Sequence, residues 1–309
     1  MAEPYDVIIL GGGPAGLTAG LYAARARLRT LLIEVGLLGG QMTTTDMIEN
    51  YPGFPEGITG EELSRLMEGQ ARRFGLEIVN QEIAEVKAGG DLKYVRTSES
   101  THSGKALIIC TGAEYRRLGV PGEKEFTGRG VSFCATCDGA FFRDSRIVVV
   151  GGGDSALTEA LFLTKFVKEL TIIHRRDALR ATKIYQERAL ANPKIGFLWN
   201  SVVHEIRGDQ VVRSILVKNV KSGEISEHSV EGVFMFVGLA PRTEFLNGIV
   251  QLDPAGYVIT DADCRTSVKG VFAAGDCTKK LLRQIATAVG DGATAAFAAE
   301  KYLELPSSP

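Results

Sequence analysis

Cysteine is scarce in this 309-residue chain, with five residues in all, and that scarcity excludes a small secreted scaffold stapled by disulfides. The odd count points to a reducing compartment, the cytoplasm, with room for one functional pair. Proline is scarce too, ten residues against 36 glycines. With 45% apolar and 23% charged residues, the composition describes an ordinary globular protein and not a disordered one. Neither sign of charge dominates: 35 lysines and arginines face 37 acids. There is thus no overall field for nucleic acid or an anionic membrane, and any anion site must be local. A membrane-length apolar run is also missing. Residues 7–24 carry no charge, but five glycines and Pro14 interrupt them and acids, not bases, precede them, which excludes a signal peptide or a spanning helix. The length predicts about two domains.

A repeat is the most informative feature that is present. Val7-Ile8-Ile9-Leu10 is followed by Gly11-Gly12-Gly13-Pro14-Ala15-Gly16 and a helix-compatible stretch. The pattern returns 140 positions later as Ile147-Val148-Val149-Val150, Gly151-Gly152-Gly153-Asp154-Ser155-Ala156 and a second such stretch. Each copy continues into another apolar run, residues 30–33 and 170–173. A strand entering a helix around a nucleotide needs a tight turn (Gly11, Gly151), backbone open to a pyrophosphate (Gly13, Gly153) and a small packing residue (Gly16, Ala156). The helix N-terminus then offers unpaired N–H groups to the phosphates. One copy is weak evidence; two, each between a strand and a helix, predict two dinucleotide sites.

The residue ending each second strand separates the two ligands. Glu34, 23 positions after Gly11, suits ribose hydroxyls, as in an FAD or NAD site. The equivalent position after Gly151 is His174, followed by Arg175, Arg176 and Arg180. An acid there would repel a 2′-phosphate, whereas forked guanidinium groups bind it, so the second site suits NADPH.

Cys134-Ala135-Thr136-Cys137 has two readings in a cytosolic protein, a redox dithiol or half of a zinc site. Zinc needs two more ligands, and neither a second such pair nor histidines at ligand spacing occur, which favours redox chemistry and no metal. Asp138 follows directly, as a proton donor or an ordinary cap. Cys110 and Cys277 end apolar runs and read as buried small hydrophobes; Cys264, in a polar stretch, carries no reading. One FAD-type site, one NADPH-type site and one dithiol imply NADPH-driven disulfide reduction, because a flavin can pass two electrons from nicotinamide to a disulfide. A flavoprotein using its dithiol, or a zinc ion, as a sensor is the non-enzymatic alternative; a ferredoxin–NADP-type flavin reductase would need no sulfur pair.

These residues, together with Gly39-Gly40-Gln41, Thr43-Thr44-Thr45, Glu49-Asn50-Tyr51-Pro52-Gly53, Thr111-Gly112-Ala113, Gly128-Arg129-Gly130-Val131-Ser132 and Gly270-Val271-Phe272-Ala273-Ala274-Gly275-Asp276 with Arg283-Gln284, resemble the low-molecular-weight, bacterial-type thioredoxin reductases over almost the whole chain. The resemblance implies an α/β fold with two Rossmann-like, three-layer ββα dinucleotide-binding domains. An NADPH domain (residues 118–241) is inserted into a discontinuous FAD domain (1–117 and 242–309), with the crossings as a hinge. It implies a homodimer with thioredoxin as the disulfide substrate. Cys137 would lie next to the flavin, Cys134 would attack the thioredoxin disulfide and Asp138 would be the acid/base. Gly11, Gly13, Pro14, Ala15, Gly16, Glu34, Gly40, Gln41, Asn50, Thr111, Gly112, Asp276, Arg283, Gln284 and Ile285 would hold FAD. Gly151, Gly153, Asp154, Ser155, Ala156, His174, Arg175, Arg176 and Arg180 would hold NADPH. Ala140 replaces an aromatic that grips thioredoxin in some members, which leaves Phe141 and Phe142 for that role. Related enzymes serving peroxiredoxins carry an added N-terminal redoxin region; here the first strand opens at Tyr5-Asp6, which favours thioredoxin over another redoxin or a peroxiredoxin system.

Overall fold

The computed structural model describes residues 3–45 and 47–304. The side chain of Thr44, quoted above, and the domain ends at 1, 2 and 305–309 lie outside the described residues. The chain forms two compact units, one from residues 1–114 and 240–309 and the other from 115–239, against limits of 117 and 241 read from the sequence. The two crossings, β7 (Ala113–Tyr115) and β16 (Leu239–Pro241), pair with each other.

In the first unit, β1 (Tyr5–Leu10) lies between β2 (Thr30–Glu34) and β6 (Thr101–Ile109), parallel to both. Beyond β2 comes β3 (Glu77–Asn80), and β17 (Val271–Ala273) joins the C-terminal half of β6, again in parallel. The N-terminal half of β6 pairs antiparallel with β5 (Lys93–Thr97), which pairs with β4 (Ile83–Lys87). β1 is apolar on both faces because both are covered. Val7 and Ile9 pack beneath α1 (Pro14–Arg25) and α6 (Ile285–Glu304), while Ile8 and Leu10 face Val86 and Val95 of the antiparallel arm. α1 starts on Pro14, whose fixed φ and missing N–H suit a first helical position. α2 (Gly60–Arg73) is capped by Thr59, whose hydroxyl accepts from Glu62 N at 3.2 Å, with acids in its first turn and arginines in its last.

The second unit repeats this plan. Its parallel sheet runs in the order β11 (Ile195–Trp199), β10 (Glu169–His174), β9 (Arg146–Val150), β15 (Gly232–Met235), β8 (Val131–Ser132). α4 (Asp154–Leu163) and α5 (Lys183–Leu190) lie on one face; the antiparallel β12 (Ser201–Gly208), β13 (Val212–Asn219) and β14 (Ile225–Ser229) lie on the other. Ile147 and Val149 face helices while Val148 and Val150 face the meander, the same alternation as in β1 at the 140-residue offset. Each unit is a three-layer, Rossmann-like sandwich.

One charge is sealed inside the first unit. Lys93, at the start of β5, has no exposed surface. Its Nζ donates to Gly90 O at 3.2 Å, Asp91 O at 3.3 Å and Tyr302 Oη at 3.4 Å. A Cβ on Gly270 would lie 2.7 Å from that nitrogen, so only glycine fits there. Truncation would remove these bonds and open a cavity: Lys93→Ala is expected to lower the unfolding free energy by about 2–4 kcal/mol in urea denaturation.

Candidate active site

In the first unit, four chain segments converge on the start of α1. Gly11 N is held by Ile33 O at 2.9 Å. A Cβ on Gly16 would fall 1.8 Å from Gly11 O, and one on Gly11 would fall 2.3 Å from Cys110 O. Strand end, helix start and the Cys110–Thr111 exit of β6 therefore share one tight volume. The 3-10 turn Gly40–Thr44 abuts it, with the Gly40 Cβ position 3.5 Å from Gly13 Cα. The turn Gly275–Cys277 presses on Ala15 so closely that a Cβ on Gly275 would lie 2.8 Å from the Ala15 Cβ. Ala274 N donates to Ile109 O at 2.9 Å, which keeps this turn beside Thr111 and Gly112.

Five of the residues expected to contact FAD are already engaged inside this unit. Both Glu34 oxygens accept backbone N–H bonds, Oε2 from Gly12 and Oε1 from Val35 at 2.7 Å, so the carboxylate braces the glycine turn. Arg283 donates to Asp276 O at 3.3 Å and Thr278 O at 3.1 Å and lies 4.1 Å over the Tyr257 ring, which makes it the clasp of the Asp276 turn. Asn50 Nδ2 donates to Gln284 Oε1 at 3.1 Å, and Ile285 packs beside Met42, Ile48, Ile58 and Leu63. Lys280 and Asp291 were without a reading in the sequence. They form an ion pair whose carboxylate also accepts Gly275 N at 2.9 Å. The available signal was Asp291 itself, the one charge in residues 285–299 of α6.

The second unit holds the equivalent turn. Gly151 N bonds Ile173 O at 3.1 Å and Leu157 N bonds Gly153 O at 3.2 Å. Ala156 stands where the first turn has Gly16, and Gly151 has φ 152° against 104° at Gly11. The His174 ring lies on Gly152, where a Cβ would be 2.3 Å from Nδ1, and burial together with the neighbouring arginines pushes its pKa below the usual histidine value. Arg175, Arg176 and Arg180 are exposed, and the acid among them, Asp177, pairs with Lys221 at 2.9 Å. The guanidinium groups have no ion pair among the described residues. Asp154 is turned away toward Thr182 N at 2.6 Å, a bond that holds its carboxyl below the usual range.

Both turns test whether nucleotides fit. Gly13 and Gly153 have ordinary extended φ values of −73° and −98°, and a Cβ at either would meet nothing within 4 Å. Nothing in the chain itself requires glycine there, but a pyrophosphate lying against the backbone does. Neither helix start has a side-chain cap, which leaves N–H groups for an anion. Asp276 Oδ1 and His174 Nε2 are buried without a hydrogen-bond partner, and Thr111 Oγ1 makes none beyond the Cys277 thiol. Burial also raises the Asp276 pKa. An unpaired buried polar atom costs about 1–3 kcal/mol, so atoms kept in this state fit partners the chain does not contain. Ser155, exposed beside Asp154 on the first turn of α4, is open to the same ligand.

Cys134 and Cys137 form a disulfide across the one-turn helix α3 (Ala135–Asp138). Cys134 caps this helix, its Sγ accepting from Cys137 N at 3.2 Å. Asp138 closes the turn, and its Oδ2 accepts from Ser132 Oγ at 2.6 Å. The adjoining aromatics divide: Phe142 is packed edge-on against Phe234 at 5.1 Å, whereas Phe141 is 58% exposed. Of the two, Phe141 is the more exposed. The other three cysteines are buried, including Cys264, whose polar sequence surroundings hid its place in the core. Burial raises their thiols, Cys264 to about 12, Cys277 to about 11 and Cys110 well above its ordinary value.

Two nucleotide turns and one sulfur pair define a disulfide oxidoreductase with two dinucleotide sites. A family model for pyridine nucleotide-disulphide oxidoreductases matches residues 5–292. The chain is 48% identical over 310 residues to a thioredoxin reductase of Peptoclostridium acidaminophilum, covering 98% of each. It is 48% identical to that of Bacillus subtilis, covering 97% of this chain and 95% of the relative. The solved thioredoxin reductase of Streptococcus pyogenes superposes with a TM-score of 0.93 at 50% identity, covering 97% of this chain and 98% of that one. The enzyme of Giardia duodenalis gives 0.92 at 38%, covering 98% and 100%. The chain belongs to the pyridine nucleotide-disulphide oxidoreductase family and, within it, to the thioredoxin reductases.

Thiols that ionise near pH 11 or above stay protonated and inert at neutral pH, and burial also blocks reagents. After reduction and removal of the reductant, the native protein at pH 8 should expose two reactive thiols of its five, Cys134 and Cys137, and all five only in denaturant; a thiol count with dithiobis-nitrobenzoate checks this.

Proposed function

We propose that the chain is a thioredoxin-disulfide reductase that carries electrons from NADPH through FAD and the Cys134–Cys137 disulfide to oxidised thioredoxin. The observation that carries this reading is the Cys134–Cys137 disulfide at the start of α3 in the same unit as the His174 to Arg180 cluster. We assign FAD to the unit of residues 1–114 and 240–309 and NADPH to the unit of residues 115–239. When bound, the flavin supplies the two-electron relay between nicotinamide and sulfur.

The chain's own residues do the rest. The open glycines Gly13 and Gly153 admit the pyrophosphates, and the first-turn N–H groups of α1 and α4 bind them. Asp276 and Thr111 take up hydroxyl or ring partners of FAD with the atoms they leave unpaired. Gly40, Gln41 and Gly112 close the site; Asn50, Gln284 and Ile285 shape its rim. Glu34 and Arg283 act on FAD through the turns they brace. His174, Arg175, Arg176 and Arg180 bind the 2′-phosphate, Arg in forked contacts. Cys134 thiolate attacks one sulfur of the thioredoxin disulfide and forms a mixed disulfide. Cys137 thiolate then attacks Cys134 Sγ, which restores the internal disulfide and releases the thioredoxin dithiol. Asp138 gives its proton to the departing thiolate, and Phe141 packs on the partner. The reading includes a homodimer in the cytoplasm, supported by the family resemblance and the three unpaired cysteines. No described helix is long and apolar enough to cross a membrane.

The purified protein should consume NADPH when mixed with oxidised thioredoxin from the same source, at a rate followed by nicotinamide absorbance; no consumption would sink the reading. Arg175→Ala with Arg176→Ala removes two charge-assisted contacts of about 1.5–3 kcal/mol each. The KM for NADPH should rise at least about tenfold while that for NADH changes little; equal changes would contradict the 2′-phosphate assignment.

A further inference from the structure

Ser132 plays no part in the reaction as written above, yet it is the most constrained hydroxyl around the sulfur pair. It ends β8, its backbone paired in register with Phe234 of β15, and it is 4% exposed. Its Oγ accepts from Cys134 N at 3.1 Å, donates to Asp138 Oδ2 at 2.6 Å and lies 3.3 Å from Cys134 O. One atom thus links the backbone of the attacking cysteine to the carboxyl group that follows the second cysteine.

A single turn of helix does not hold its own shape in water, so α3 needs an outside tie to keep Asp138 in one place. A hydroxyl has one hydrogen and two lone pairs. With Asp138 ionised, the hydrogen belongs to Oδ2, where the bond is short and charge-assisted, and one lone pair takes Cys134 N–H. With Asp138 protonated, the hydroxyl hydrogen turns to Cys134 O and the second lone pair accepts the carboxylic O–H. Both protonation states are satisfied without any movement of the backbone. The same swing accompanies the proton step: Asp138–COOH and the departing thiolate become Asp138–COO⁻ and a thiol, and the hydroxyl hydrogen returns to the carboxylate.

We infer that Ser132 is a positioning residue of the disulfide exchange, a hydroxyl rotor that holds Asp138 in place in both its protonation states. The inference rests on the acid/base reading of Asp138. It makes the effect of Ser132 depend on the leaving group, because an acid is needed only when the departing thiol is basic.

The test uses the reduced holoenzyme and two disulfides, oxidised thioredoxin and dithiobis-nitrobenzoate, whose leaving thiol is acidic. Ser132→Ala should slow turnover with thioredoxin about tenfold, or ~1.4 kcal/mol, through kcat and not KM, and the loss should be confined to that substrate. Ser132→Thr, which keeps the hydroxyl, should restore the rate. In an Asp138→Asn background, Ser132→Ala should cost nothing further. Equal losses on both disulfides, full speed on thioredoxin, failure of threonine to rescue, or additive losses in the double variant would each overturn the inference. If Ser132→Ala does not fold, Ser132→Cys, close in volume with a weak donor, takes its place with the same expectations. Failure of the wild-type enzyme to turn over thioredoxin would instead refute the function proposed above; the dithiobis-nitrobenzoate reaction of the same sample keeps the two failures apart.

Discussion

The passage from β1 into α1 leaves no space for a side chain at Gly16, and the first unit is arranged around that contact. Because the helix start touches Gly11 O, α1 lies close along the sheet. Gly292 of α6 then approaches Ala15 O so nearly that a Cβ would be 2.2 Å away, and Gly275 closes on Ala15 from the other side. Small residues at these points let three backbone segments meet at one helix terminus. A single methyl at Gly16 or Gly292 would push α1 or α6 off the sheet and dissolve the convergence that makes the nucleotide turn. The second unit makes the same passage with Ala156, and its turn glycine adopts a different φ, 152° at Gly151 against 104° at Gly11.

The charged groups around these turns mainly shape backbone. Glu34, Arg283 and the Lys280–Asp291 pair all bond to main-chain N–H or C=O groups of the glycine turns. Loops without regular structure carry many unpaired backbone groups, and here a few long side chains supply the partners. Asp276, Thr111 and His174 are left with unpaired atoms, and a ligand that pairs them stabilises the folded state by mass action.

The thiol chemistry is separated by burial. Cys110, Cys264 and Cys277 lie in apolar clusters where ionisation is disfavoured, while Cys134 caps and Cys137 lies within a short helix that follows β8. A redox protein that also carries spare thiols must keep them from exchange with its own active pair, and desolvation does so without any dedicated residue.

Much of this was legible in the residues alone. The two strand-turn-helix repeats, the sulfur pair and the basic cluster are contiguous motifs, and each states its chemistry locally, because a tight turn demands glycine and a phosphate demands cations within a few positions. The alternation of residues 7–10 and 147–150 between two core faces follows from the period of a strand. Tertiary structure decided what depends on partners distant in sequence. It turned Phe142 inward and left Phe141 exposed, committed Glu34 and Arg283 to backbone, and buried Cys264 and Lys93. It also brought Ser132 to Asp138 across the turn of α3. A sequence lists donors and acceptors, but which of them meet is set by strand register and helix packing, and those are properties of the whole fold.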